Sequence, residues 1–67
     1  MKNDVNLDLI TSYMANNDLT SVDFCKKCNI SPQDLELIFA GSLDFDLIAL
    51  FKIAHALNIK IHEIFND

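Results

Sequence analysis

Apolar positions along the chain fall into short runs at helical spacing, separated by residues that cap or stop helices. Leu7, Ile10, Tyr13 and Met14 recur at three- and four-residue steps, which predicts a first helix with one buried face, ended by Asn16, Asn17 and Asp18. Thr20 with Asp23 three residues later reads as a reciprocal cap, hydroxyl and carboxylate each accepting from a free backbone N–H at a helix start. The second helix then carries Phe24, Cys25 and Cys28 on its inner stripe, and Asn29 suits the left-handed residue that closes it. Ser31 and Pro32 open a third helix, a cap followed by proline at the one place where a missing N–H costs nothing. Leu35, Ile38 and Phe39 give that helix its buried side, and Gly41 stops it. Asp44 or Asp46 caps a fourth, with Leu47, Leu50, Phe51, Ala54 and Leu57 as its stripe and Asn58 at its end. A last short helix spans roughly Ile61 to Phe65. With no repeat, linker or strand-like alternation, residues 1–67 read as one all-α domain of five short helices.

Composition adds a constraint on the surface. A 67-residue domain buries only about 60% of the area its unfolded chain exposes. With 51% of its residues apolar, this chain has more greasy surface than such a core can hold, which predicts an exposed patch for a partner or for self-association. Ten acids face five lysines and no arginine, for a net charge of −5, so long-range attraction to a polyanion is reversed. No apolar run approaches the ~20 residues of a membrane span, and the start of the chain lacks a basic-then-apolar leader. A cytoplasmic location without membrane contact is the expectation.

Taken in one register, Leu19-Thr20-Ser21 through Ile30-Ser31, then Leu35, Ile38 and Gly41, then Leu50-Phe51-Lys52-Ile53-Ala54-His55-Ala56-Leu57-Asn58-Ile59, resemble the Xre/Cro (lambda-repressor-like) helix-turn-helix family. Ile61-His62-Glu63-Ile64-Phe65 matches that family's closing segment, and the register runs without a gap from about Ile10 to Phe65. The resemblance implies a compact five-helix domain with its helix-turn-helix core at about residues 20–40. It also implies a third helix lying in the DNA major groove, usually in a two-fold dimer. Carried over, Ser21 matches the phosphate-contacting start of the second helix, and Lys26 and Lys27 lie near the interface. Ser31 opens the recognition helix, whose groove-facing positions are Gln33, Asp34, Glu36 and Leu37. Of these only Gln33 has a familiar base pairing, bidentate to adenine, while Asp34 and Glu36 bring negative charge toward phosphates. The positions of Met14 and Phe39 often hold an Arg–Glu pair in the family. Here both are apolar, and a direct Met14–Phe39 contact is expected in its place.

Other residues have plainer explanations. Cys25-Lys26-Lys27-Cys28 has a C-x-x-C spacing, but His55 and His62 lie on different helices at the wrong separation for zinc. No βαβ pattern supports a redox pair either, so buried thiols are expected. Neither histidine has an acid or thiol at catalytic spacing, and both are read as solvated. Asp23, Asp34 and Asp46 stand at helix starts, where they favour the helix dipole. No phosphate-binding loop, nucleophile elbow or paired carboxylate is present, so the chain reads as a non-enzyme without metal or cofactor.

Leu37, Leu43 and Phe45 stand where the family usually has polar residues. Either Leu43 and Phe45 fold back over the core, or they join Leu37 in a protein-binding patch. Ile59, Ile61, Ile64 and Phe65 form a second apolar group, read as the surface of a homodimer. Two functions follow. One is a small transcription regulator binding duplex DNA as a homodimer through the helix that begins at Ser31. The other is a helix-turn-helix scaffold that has lost DNA binding and acts as a protein-interaction or antirepressor-like module through Leu37, Leu43 and Phe45.

Overall fold

A computed structural model describes residues 4–66. Four α-helices follow one another, α1 (Leu7–Asn16), α2 (Ser21–Cys28), α3 (Pro32–Phe39) and α4 (Leu47–Leu57), and a 3-10 turn at Ile61–Ile64 closes the chain. The radius of gyration is 10.7 Å, against about 11 Å expected of a compact chain this long.

Local chemistry sets each helix boundary. Asn6 caps α1 through its side-chain oxygen, which accepts from the Leu9 N–H. At α2 the Thr20 hydroxyl accepts from the Asp23 N–H at 3.1 Å, and the Asp23 carboxylate accepts from the Thr20 N–H at 3.2 Å. The Thr20 N–H, followed by the Thr20 hydroxyl, holds the Asp23 carboxyl below the usual carboxylate range. Asn29 ends α2 in the left-handed region at φ 58°, and the next N–H, that of Ile30, returns to the Cys25 carbonyl at 3.0 Å. Ser31 accepts from the Asp34 N–H with Pro32 at the first position of α3, and Gly41 at φ 79° turns the chain beyond it. Of the two candidate caps for α4, Asp46 fills the role, accepting from the Ile48 N–H at 3.0 Å. Asn58, also at φ 58°, closes that helix.

The core gathers one face from every helix. Ile10, Phe24, Ile38, Leu50, Ile53 and Ile64 are essentially inaccessible, with Val5, Cys25, Cys28, Leu35, Ala49 and Ala54 filling between them. Tyr13 meets Phe24 edge-on at 6.1 Å between ring centroids. Helix α4 packs against both α2 and the 3-10 turn, and α2 packs against α3.

Three expectations need correction. The buried face of α4 is Ala49, Leu50, Ile53 and Ala54, whereas Leu47 and Phe51 point outward. The expected fifth helix is a single 3-10 turn ending at Ile64, because Phe65 leaves it in extended geometry and pairs antiparallel with Val5. Phe39 sits at the margin of the core rather than in it, 36% exposed, while Met14 packs against the core.

Candidate functional site

Helix α3 reads PQDLELIF, so its surface carries two carboxylates and no cation. Ser31 is exposed, but its hydroxyl is engaged in the cap. Gln33 and Glu36 are exposed. Asp34 is half-buried, and one carboxylate oxygen accepts from the Asp46 N–H at 3.3 Å, which ties the start of α3 to the entry of α4. Leu37 is half-buried in a shallow groove of about 250 Å³ with Gln33, Glu36 and Ala40. Ser21 is exposed at the start of α2.

The cations collect elsewhere. Lys26 and Lys27 are exposed in the last turn of α2, where they favour the negative end of the helix dipole. Lys52 reaches across from α4, its ammonium donating to the Asn29 carbonyl at 3.0 Å. Lys27, Cys28, Asn29, Phe51, Lys52, His55 and Ala56 line a cleft of about 380 Å³ between the end of α2 and the middle of α4. Of the five lysines of the chain, three therefore lie at one end of α2 and on the adjoining part of α4.

Beside that cleft lies the largest departure from ordinary surface chemistry. Leu47, Ile48 and Phe51 are 61%, 58% and 54% exposed, and Leu43, in the loop leading to them, is 57% exposed. Helical spacing puts Leu47, Ile48, Phe51 and His55 on one stripe, opposite the buried Ala49, Leu50, Ile53 and Ala54. Helix α4 is thus apolar on both faces, a composition ordinarily found in helices covered all round.

The other predicted residues divide. The two alternatives for the loop divide, since Phe45 is half-buried and packs on the core whereas Leu43 stays out. In the C-terminal group Ile64 is fully buried, and Ile59 and Ile61 pack against the core. Only Phe65, 37% exposed, offers substantial side-chain surface there. Ile64 cannot serve as a dimer contact without opening the domain. The sequence reading missed Leu47 and Ile48 as outward residues. The signal was present in α4 itself, whose eleven residues include only Lys52 and His55 as polar positions.

Cys25 and Cys28 are buried free thiols, as expected. Burial raises the Cys25 pKa, and burial followed by the neighbouring Cys25 pushes Cys28 up to about 11, the opposite of an activated thiol. The Cys25 thiol donates weakly to the Ser31 carbonyl at 3.9 Å. His55 and His62 are exposed, and no group of three metal-ligating side chains occurs among the described residues. No helix among them is long and apolar enough to cross a membrane. Comparison with protein-family models, with curated proteins and with solved structures finds no match.

Proposed function

We propose that this chain is a non-catalytic helix-turn-helix module of the cytoplasm that acts by binding protein rather than by reading DNA. The scaffold part of this reading rests on two capped helices, α2 and α3, joined through residues 29–31, together with the Xre/Cro resemblance of the sequence. One observation carries the functional part. Leu43, Leu47, Ile48 and Phe51, each more than half exposed, line the entry and outer face of α4. Exposed apolar surface of this kind marks interaction sites in soluble domains. The candidate recognition helix supports the same reading, because Asp34 and Glu36 would lie against phosphates on a chain of net charge −5.

The DNA-binding reading keeps one observation in its favour, the exposure of Gln33 together with that of Lys26 and Lys27. A fluorescence-anisotropy titration against random-sequence duplex separates the two. The expected outcome is no binding at tens of micromolar protein in about 50 mM salt, where a repressor-like domain retains non-specific affinity. Binding that weakens steeply toward about 200 mM salt overturns the proposal and restores the DNA reading. Gln33→Ala is then the variant to test for base preference.

A further inference from the structure

We infer that the cleft between the end of α2 and the middle of α4 is a binding site for a small carboxylate with an aromatic body. The inference goes beyond the protein-binding reading, because the exposed Leu43, Leu47 and Ile48 do not line this cleft. Its chemistry runs against that of the chain. On a protein of net charge −5, Lys27, Lys52 and the His55 imidazole line a single hollow, and none of its described lining residues is acidic. Cys28, Phe51 and Ala56 add apolar surface beside those groups. Cations set against apolar walls match a ligand that is apolar over most of its body and anionic at one end.

The positive charge is held at the cleft rather than free in solvent. The Lys52 ammonium donates to the Asn29 carbonyl at 3.0 Å, which fixes its position and leaves its other N–H donors for a ligand. The Lys27 charge is felt at the Cys28 thiol, which burial and then Cys25 push up and Lys27 pulls back. The Cys25 and Lys26 carbonyls, at the end of α2 whose dipole would repel an anion, accept from the Ile30 and Asn29 N–H groups at 3.0 and 3.3 Å. A volume of about 380 Å³ lies in the range of small-molecule sites. A bare inorganic anion would leave the apolar walls wet, and a polyanion would be repelled by the net charge of −5. One carboxylate on an aromatic body avoids both costs.

Indoleacetate is the probe. Titrated at constant ionic strength into the isotope-labelled full chain, it should shift the backbone amide signals of Lys27, Cys28, Phe51 and Lys52 saturably. The dissociation constant expected for a ligand of this size is on the order of 1 mM. Uncharged indoleacetamide keeps the ring and loses the charge, and should bind at least about fivefold more weakly. Lys27→Glu and Phe51→Ala each remove one half of the site and should weaken indoleacetate about fivefold. Both side chains are exposed, and the same spectra report whether each variant remains folded.

No saturable shift by about 20 mM indoleacetate overturns the inference. So does an amide that binds as tightly as the acid, an affinity unchanged in either variant, or shifts spread evenly over the surface. Inorganic phosphate that moves the same signals at the same concentration also overturns it, since the lysines alone would then account for the binding. These outcomes are independent of the DNA titration and leave the reading of Leu43, Leu47 and Ile48 as protein-binding surface untouched.

Discussion

Helices α2 and α4 are built to the same local rules and differ in what they show to solvent. Each begins at a side-chain cap, Thr20 or Asp46, and each ends at an asparagine held at φ 58° with nearly equal ψ. Each buries one stripe against the other. Outside the core, α2 presents Ser21, Asp23, Lys26 and Lys27 with a single apolar exception in Val22, whereas α4 presents Leu47, Ile48 and Phe51. Folding needs only the features the two helices share. The outer face of α4 leaves more than half of Leu47, Ile48 and Phe51 in water, apolar area that the proposed protein-binding reading would cover.

The widest gap should appear between the two faces of α4 itself. Ile53→Ala is expected to cost about 2–5 kcal/mol in urea denaturation, a large share of the stability of so small a domain. Ile48→Ala, five residues earlier on the outer face, should change monomer stability by no more than about 0.5 kcal/mol when measured at dilute concentration. A large cost at Ile48 in dilute solution would mean that its side chain supports the monomer and would erase the contrast.

A smaller effect should be shared by both helices. Asn29→Ala and Asn58→Ala each force a Cβ-bearing residue without a compensating side-chain amide into the left-handed region, at about 1 kcal/mol apiece. Equal costs in denaturation would support the common closing rule. Unequal costs would show that one end is held by tertiary contacts instead.

The smallest and most conditional difference concerns pH, and it belongs to α2 alone. The Cys28 thiol is raised from its ordinary value of 9.0 to about 11 in the folded state. A raised acid contributes stability that is complete below the unfolded value and is lost as pH climbs through the folded one. Stability should therefore fall between about pH 9 and 11, and less so in Cys28→Ala once its own packing loss is subtracted. Labelling of both thiols at pH 8 should track opening of the domain. Rapid labelling of the folded chain would place the cysteines nearer solvent than their burial indicates.

The pattern of what could be read in the sequence follows the range of the interactions. Thr20 with Asp23, Ser31 with Pro32, Asn29, Asn58 and Gly41 act within four residues, and each stands where its local chemistry puts it. The inner face of α4 could not be read the same way. Periodicity locates a buried stripe only by contrast with a polar one, and an eleven-residue helix with two polar positions has little contrast to offer. Periodicity places Leu47 and Phe51 on the stripe, and the structure buries Ala49 and Ile53 instead. At the C-terminus the deciding contact is with Val5, sixty residues away in sequence, and no local pattern announces it. Leu43, Gln33, Lys26 and Lys27, all named from the sequence, are exposed, but the exposed face of α4 is visible only when the helix is set against its neighbours.

That same contact governs how the molecule bears a load. Val5 and Phe65 pair antiparallel, with the Asn66 N–H on the Asp4 carbonyl at 2.7 Å and the Asn6 N–H on the Ile64 carbonyl at 2.8 Å. Residues 4 and 66 therefore leave the domain side by side. The Asn66 side-chain amide adds a bond to the Val5 carbonyl at 3.4 Å, and a tether pulling the two segments apart meets these bonds in succession, the outer before the inner, as in a zipper rather than a sheared lap joint. Tension applied at residues 4 and 66 is thus met first at this clasp, with the buried Ile64 directly beneath it.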